Sequence, residues 1–224
     1  LQSRGLGDVY KRQLLWEPNE YINIMVYPFT DSQILGISTF PYSLKDFFLE
    51  GTQQVSASWI TLENLSFPYC ISINSSYIYE QSTDERINQN DAAITLAHEL
   101  GHYLGLRHVF SEGGTTSMCT DTDYCKDTPS YNRSEYEQWL NNLDKQNKYQ
   151  LKDLAKRYSC EKGEYEAHNI MDYAYCFYNE ITLEQRKRIR HILNYSPLIP
   201  GPKESRIDTR GVQGRLNLPI CIMK

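Results

Sequence analysis

His98-Glu99-Leu100-Gly101-His102-Tyr103-Leu104-Gly105-Leu106-Arg107-His108 decides the reading of this chain. It has the form H-E-x-x-H-x-x-G-x-x-H. On an α-helix, His98 and His102 present both imidazoles on one face. Two neutral ring nitrogens at that spacing hold one Zn2+ at about 2.0–2.1 Å. His108 cannot share that face, so the helix has to stop first. Gly105 is placed to stop it, because glycine takes a left-handed backbone angle without a Cβ clash and lets the chain turn back under the metal. Three histidines leave the fourth position of a tetrahedral zinc open, the arrangement of catalytic rather than structural sites. Glu99, beside the first ligand, is placed as general base toward a metal-activated water. The competing reading is a buried helix with incidental histidines. Against it, the five fixed residues recur by accident in roughly one chain of this size in ten thousand.

A chain of 224 residues, 40 % of them hydrophobic, suits one domain with a sizeable core. A formal charge of −5 argues against nucleic acid as a partner. Eighteen tyrosines suit either a surface that handles polypeptide or Tyr-rich strands. No apolar run approaches the ~20 residues of a membrane span. Leu1 to Gln13 lack the apolar h-region of a signal peptide, and Ser3 to Gln13 read as a translated cloning adaptor. Residues 1–13 are therefore set aside. On that reading the natural N-terminus is missing, and a signal sequence, lipid anchor or pro-segment could be lost with it.

Six cysteines, Cys70, Cys119, Cys125, Cys160, Cys176 and Cys221, form no C-x-x-C pair. They read as disulfides of an exported protein, with reduced, buried thiols as the alternative, most plainly for Cys70 in an apolar strand. His168 and His191 read as surface or packing residues.

Outward from the motif, Tyr21–Tyr27 alternates and predicts a core strand, Ile34–Ser38 a second and Tyr69–Ile73 a third. Gly36 marks a bulge or a close approach of another backbone. Gln53 to Leu65 reads as irregular structure or an edge strand. Asn90 or Asp91 caps the motif helix, whose buried stripe is Ala93, Leu96, Ala97, Leu100 and Leu104. Gly113-Gly114 opens a long loop. Its acids and hydroxyls, from Cys119 to Pro129, suit either Ca2+ or a solvated turn capped by Asp and Thr. Glu135 to Leu143 and Leu151 to Tyr158 have helical spacing, ended by Gly163. Thr182 and Gln185 form a capping box for a last helix, with Arg186, Lys187, Arg188 and Arg190 outside. Ser196-Pro197 stops that helix. Strands followed by helices predict an α+β domain over residues 14–196, with 197–224 a tail or the start of a truncated segment.

The long zinc motif resembles that of the metzincin metallopeptidases, which carry a methionine turn beneath the metal. Met171 in Asn169-Ile170-Met171-Asp172-Tyr173 fits that turn. Within the clan the chain is most similar to the pappalysins, over roughly residues 20 to 195. The resemblance rests on His98 to Phe110, Asp123 to Pro129 and Leu35 to Pro41; bacterial lipoprotein metallopeptidases are a related family. Val109 stands where astacins usually carry Glu.

The resemblance implies a two-lobed catalytic domain. A twisted mixed sheet and the active-site helix form the upper lobe, and a helical and irregular lower lobe carries the methionine turn. It implies zinc on His98, His102 and His108, Glu99 and Tyr173 as catalytic residues, and Tyr173 as an oxyanion donor. It further implies calcium at Asp123, Thr128 and the Lys126 carbonyl, and disulfides Cys119–Cys160 and Cys125–Cys176. Polypeptide substrate would lie extended along an edge strand near Leu35–Pro41. The expected protein is a monomeric zinc endopeptidase, secreted or lipid-anchored at the cell surface. The alternatives are a non-catalytic binding or adhesion module that keeps the zinc, and a metallo-hydrolase of a non-peptide amide.

Overall fold

The computed structural model describes residues 14–56, 68–83, 86–111, 123–144, 147–159, 161, 163–201, 203 and 220–223, the last four as backbone. The features expected at residues 1–13, at Gly113-Gly114 and at Cys119 and Cys160 lie outside these residues. In chain order the strands are β1 (Ile24–Tyr27), β2 (Gly36–Thr39), β3 (Tyr42–Leu44), β4 (Gln53–Val55), β5 (Ile71–Asn74), β6 (Phe110–Ser111), β7 (Tyr131–Asn132), β8 (Lys156–Ser159), β9 (Gly163–Glu166) and β10 (Ile220–Met223). The α-helices are α1 (Ala92–Tyr103), α2 (Arg133–Asn141), α3 (Leu151–Leu154) and α4 (Leu183–Tyr195).

The architecture is α+β. A first sheet has the order β1-β5-β2-β10, with β1 parallel to β5 and the other pairs antiparallel. β3 and β4 make a small parallel pair, so part of the ambiguous stretch after Gln53 is a strand. A second sheet has the order β6-β7-β8-β9. α1 packs on β2 and β5 of the first sheet, and α4 contacts β3. Tyr42, Tyr69, Ile71, Ile73, Tyr103, Ile192, Leu198 and Ile199 fill the core between these elements. A second cluster, Leu35, Phe110, Tyr131, Tyr136 and Tyr173, lies at the second sheet. Many of the tyrosines are thus core residues.

Several expectations need correction. β1 is not a core strand: it pairs with β5 alone among the described residues, and Ile24 and Val26 are about half exposed. Alternation identifies a strand but not which of its faces is covered. Ala93 is exposed, and the most buried side of α1 carries Thr95, His98, Glu99 and His102 instead. Leu96, Leu100 and Leu104 pack on the core only partly buried.

Helical spacing misleads after Leu154. Leu151, Leu154, Ala155 and Tyr158 mimic one helix face, yet Lys156–Ser159 pairs antiparallel with Gly163–Glu166. There Arg157 turns in, fully buried, while Tyr158 stays 71 % exposed, the period of a strand. Arg188 is also buried, not on the solvated face. Its Nε and Nη2 donate to the Gly105 carbonyl at 3.3 and 3.2 Å, and Nη2 donates to the Glu50 carbonyl at 3.0 Å. The guanidinium fork satisfies the Gly105 carbonyl at the turn that follows α1 and the Glu50 carbonyl ahead of β4.

Cys125 and Cys176 are free thiols, so the bridge implied between them is not formed. The segment after residue 196 is not wholly a tail: Leu198 and Ile199 are buried in the core. β10 lies antiparallel on β2, with Ile220 opposite Thr39 and Met223 opposite Gly36. β2, the expected edge strand, is therefore paired on both sides.

Candidate metal centre

The helix carrying the centre is fixed at both ends. Asp91 caps α1, its Oδ1 accepting from the amides of Ala93 (2.8 Å) and Ile94 (3.1 Å). Burial pushes the Asp91 carboxyl up, but hydrogen bonds from Ser82, Ile94 and Ala93 outweigh it and leave the pKa below 3.8. At the other end Gly105 has φ +88°, as the turn after the helix requires. The Leu106 amide then donates to the Gly101 carbonyl at 2.9 Å.

That turn brings the three histidines together. His102 Nε2 lies 3.0 Å from His98 Nε2 and 3.0 Å from His108 Nε2. Among the described residues these three are the group of His, Cys, Asp or Glu side chains able to hold a metal ion. The Nδ1 atoms face carbonyls, His98 toward Ile170 and His102 toward Leu106, each at 2.8 Å. A carbonyl only accepts, so each Nδ1 carries the proton and each Nε2 presents a lone pair. Lone pairs 3.0 Å apart repel unless a cation lies among them. Imidazoles on one tetrahedral zinc stand about 3.3 Å apart, close to what is seen. The donor set therefore fits zinc. Burial lowers all three basicities, that of His98 to about 4, so the rings are neutral donors near neutral pH.

Glu99 is fully buried beside the ligands. A Cβ built on Gly36 would stand 2.6 Å from Glu99 Cγ and 2.9 Å from Oε1. Gly36 thus marks a close approach, as expected, but of a carboxylate side chain rather than of a backbone. β2 lies directly over the glutamate because position 36 has no side chain.

Met171 is fully buried and packs with Leu106 and Val109. Its sulfur fills the space a side chain at Gly101 would need. The Val109 amide donates to the Met171 carbonyl at 3.4 Å, which ties the turn to the segment carrying His108. The Tyr173 ring centroid lies 4.6 Å from that of His108 and 5.5 Å from that of His98. Phe110 stacks on His108 at 4.7 Å, and the Arg133 guanidinium lies 4.5 Å from the Tyr173 ring centroid. His168 and His191 stand apart, bonded to Asn179 Oδ1 and the Phe47 carbonyl.

In the acidic loop, Asp123 is buried. Its Oδ1 accepts from the Cys125 amide at 2.9 Å, and its Oδ2 from the Thr128 hydroxyl at 2.6 Å. The Lys126 amide donates to Glu184 Oε2 at 2.6 Å.

Arg157 and Asp172 escaped the sequence reading, although Asp172 adjoins Met171. Both are buried, and Arg157 Nε lies 3.5 Å from Asp172 Oδ2. A charged residue between polar neighbours in an apparent helix gives no local signal of burial.

Residues 51–194 match the peptidase M43 family, described as pregnancy-associated plasma protein-A. An extracellular metalloprotease of Arthroderma otae is 32 % identical over 171 residues, covering 75 % of this chain and 49 % of that protein. One of Arthroderma benhamiae is 37 % identical over 108 residues, covering 47 % and 32 %. The chain thus spans between a third and a half of the length of these relatives. A solved structure, Tannerella forsythia mature mirolysin in complex with a cleaved peptide, is 22 % identical, with a TM-score of 0.46 over 79 % of this chain and 53 % of that one.

Proposed function

The chain belongs to the peptidase M43 family, and from that membership we propose that it is a zinc-dependent endopeptidase. The observation that carries the reading is the convergence of three buried Nε2 atoms, with the Nδ1 atoms of His98 and His102 turned to carbonyls. His98, His102 and His108 hold the metal. Bound zinc supplies Lewis acidity, polarising the scissile carbonyl and lowering the pKa of water to about 7. Glu99 takes the proton of the attacking water on its carboxylate and passes it to the leaving amine. Tyr173, packed on His108, donates a hydrogen bond from its hydroxyl to the oxygen on which negative charge develops. Met171 supports the site from below through Gly101.

The substrate is an extended polypeptide added antiparallel to β2. The pairing of β10 supports this: a strand laid on that edge ends opposite Gly36, the residue against Glu99. The same backbone positions then serve substrate and β10 in turn. Export is part of the proposal, in line with the extracellular relatives. Calcium at Asp123, Thr128 and the Lys126 carbonyl is its subordinate part. Melting of chelated protein with and without Ca2+ checks it, an absent shift assigning the loop to the hydrogen-bonded turn. A non-catalytic module is not favoured, because the chain keeps Glu99 together with all three ligands.

Glu99→Ala tests the assignment. It should keep one zinc per chain and lose kcat by at least ~10^3-fold on a peptide library. Undiminished hydrolysis by this variant would remove Glu99 from the mechanism. Zinc retention in a wild-type chain that cleaves no peptide would favour the binding module.

A further inference from the structure

The turn below the centre is strained in a way the zinc motif does not explain. Ala174 and Tyr175, directly after Tyr173, have φ +44° and +39°. The left-handed region is costly for a non-glycine residue, and two such residues in succession persist only where the surroundings impose them. Here the surroundings are a buried cluster centred on Arg157. Arg157 Nη2 donates to the Tyr173 carbonyl (3.2 Å) and the Ala174 carbonyl (2.9 Å). Nη1 donates to the Leu154 carbonyl (2.9 Å), which ties the group to the last residue of α3. The guanidinium lies 3.6 Å from the centroid of the Tyr136 ring. Its Nε faces Asp172 Oδ2, while Asp172 Oδ1 accepts from the Tyr131 hydroxyl (2.5 Å) and the Tyr173 amide (2.7 Å).

The cluster thus holds Tyr173 from both sides of its Cα. The amide is bonded to Asp172 and the carbonyl to Arg157. Burial opposes the charge on Arg157, but Asp172 and Tyr131 more than offset it and raise its pKa, so the fork stays cationic. Tyr131 lies on β7 and Arg157 on β8, so the second sheet carries the clamp, while β6 carries the Phe110 that stacks on His108.

We propose that Arg157 is a positioning residue of this centre. With Asp172 it holds the left-handed turn after the methionine and thereby fixes the Tyr173 ring against His98 and His108. The proposal rests on the peptidase reading of the centre. It assigns Arg157 no contact with substrate. It acts through Tyr173.

The test is a double-mutant cycle on the zinc-loaded full chain. Arg157→Lys keeps the charge but not the planar fork. It should lower kcat by roughly 10-fold with KM within about 2-fold and zinc content unchanged. In the Tyr173→Phe background the same substitution should change kcat by less than about 2-fold, because its effect passes through the hydroxyl. Equal losses in both backgrounds overturn the proposal and leave Arg157 a structural residue. Should Arg157→Lys fail to fold, Tyr131→Phe, which removes one hydrogen bond to Asp172, takes its place with the same expectation. A second readout does not depend on turnover. Amide exchange at residues 173–177 should quicken by about 10-fold in either variant while α1 is unaffected. Unchanged exchange overturns the clamp. If wild type cleaves no peptide, the peptidase reading fails, while exchange still decides the clamp.

Discussion

The α1 side of the metal centre and the Met171 side are built by different means. On α1, His98, Glu99 and His102 come from one helical turn, and their spacing places them. On the other side, Tyr173 is set by Tyr131 of β7, Arg157 of β8 and the Asp172 carboxylate, which meet through tertiary structure. The first arrangement needs a helix cap and a glycine turn. The second needs a sheet, a buried ion pair and a strained turn to exist together. A ligand pair written into helical periodicity tolerates change in its surroundings. A side chain aimed by a network does not.

That contrast can be broken from the α1 side first. Gly36→Ala places a methyl group against Glu99 Cγ. It should lower kcat by roughly 10- to 100-fold, since displacing the proposed base by even part of an ångström is costly, with zinc content preserved. Parallel metal analysis and kinetics check it. Wild-type kcat would show that Glu99 has room to move and that β2 does not set its position.

Next comes the strand over the centre. Because β10 holds the β2 positions proposed for substrate, removing residues 220–224 should lower KM for an extended peptide by about 3- to 10-fold at constant kcat. Steady-state kinetics on the two chains decide it. An unchanged KM would place substrate elsewhere.

The smallest effect belongs to the cap. Asp91→Ala should cost about 1 kcal/mol of stability, read by urea melts. The sign with pH follows from its depressed pKa. An acid with a folded pKa below 3.8 contributes stability fully present above that value and lost as pH falls through the folded value. The difference between wild type and variant should therefore be flat near neutrality and shrink in acid below about pH 4. A difference that grows on acidification would contradict the cap.

The same contrast governs what could be read from the sequence. The histidine triplet, the Gly105 turn, the Asp91 cap and the Thr182–Gln185 box are local patterns, and in the structure the three imidazoles meet where they could hold a metal ion, the turn has positive φ and both helix caps form. The strands expected at Ile34–Ser38 and Tyr69–Ile73 are present, displaced by one or two residues to Gly36–Thr39 and Ile71–Asn74. The exposure of Ile24 and Val26 was not, since it depends on where β1 lies in the sheet. Arg188 reads from its helix as a solvated position, and Arg157 carries no local signal at all. Burial of Arg157 depends on carbonyls of the turn after the methionine, and burial of Arg188 on those of Gly105 and Glu50. Leu154 to Tyr158 satisfied a helical and a strand period at once, and only the partner strand Gly163–Glu166 resolved it. The free thiols of Cys125 and Cys176 show that a pairing carried over from relatives need not hold in this chain.

The central claim is that His98, His102 and His108 meet on one ion. Zinc-edge X-ray absorption on the zinc-loaded full chain tests it directly. The expected shell is three imidazole nitrogens at about 2.0–2.1 Å, with the remaining position held by oxygen. A sulfur shell at about 2.3 Å, or fewer than three imidazoles, would contradict it.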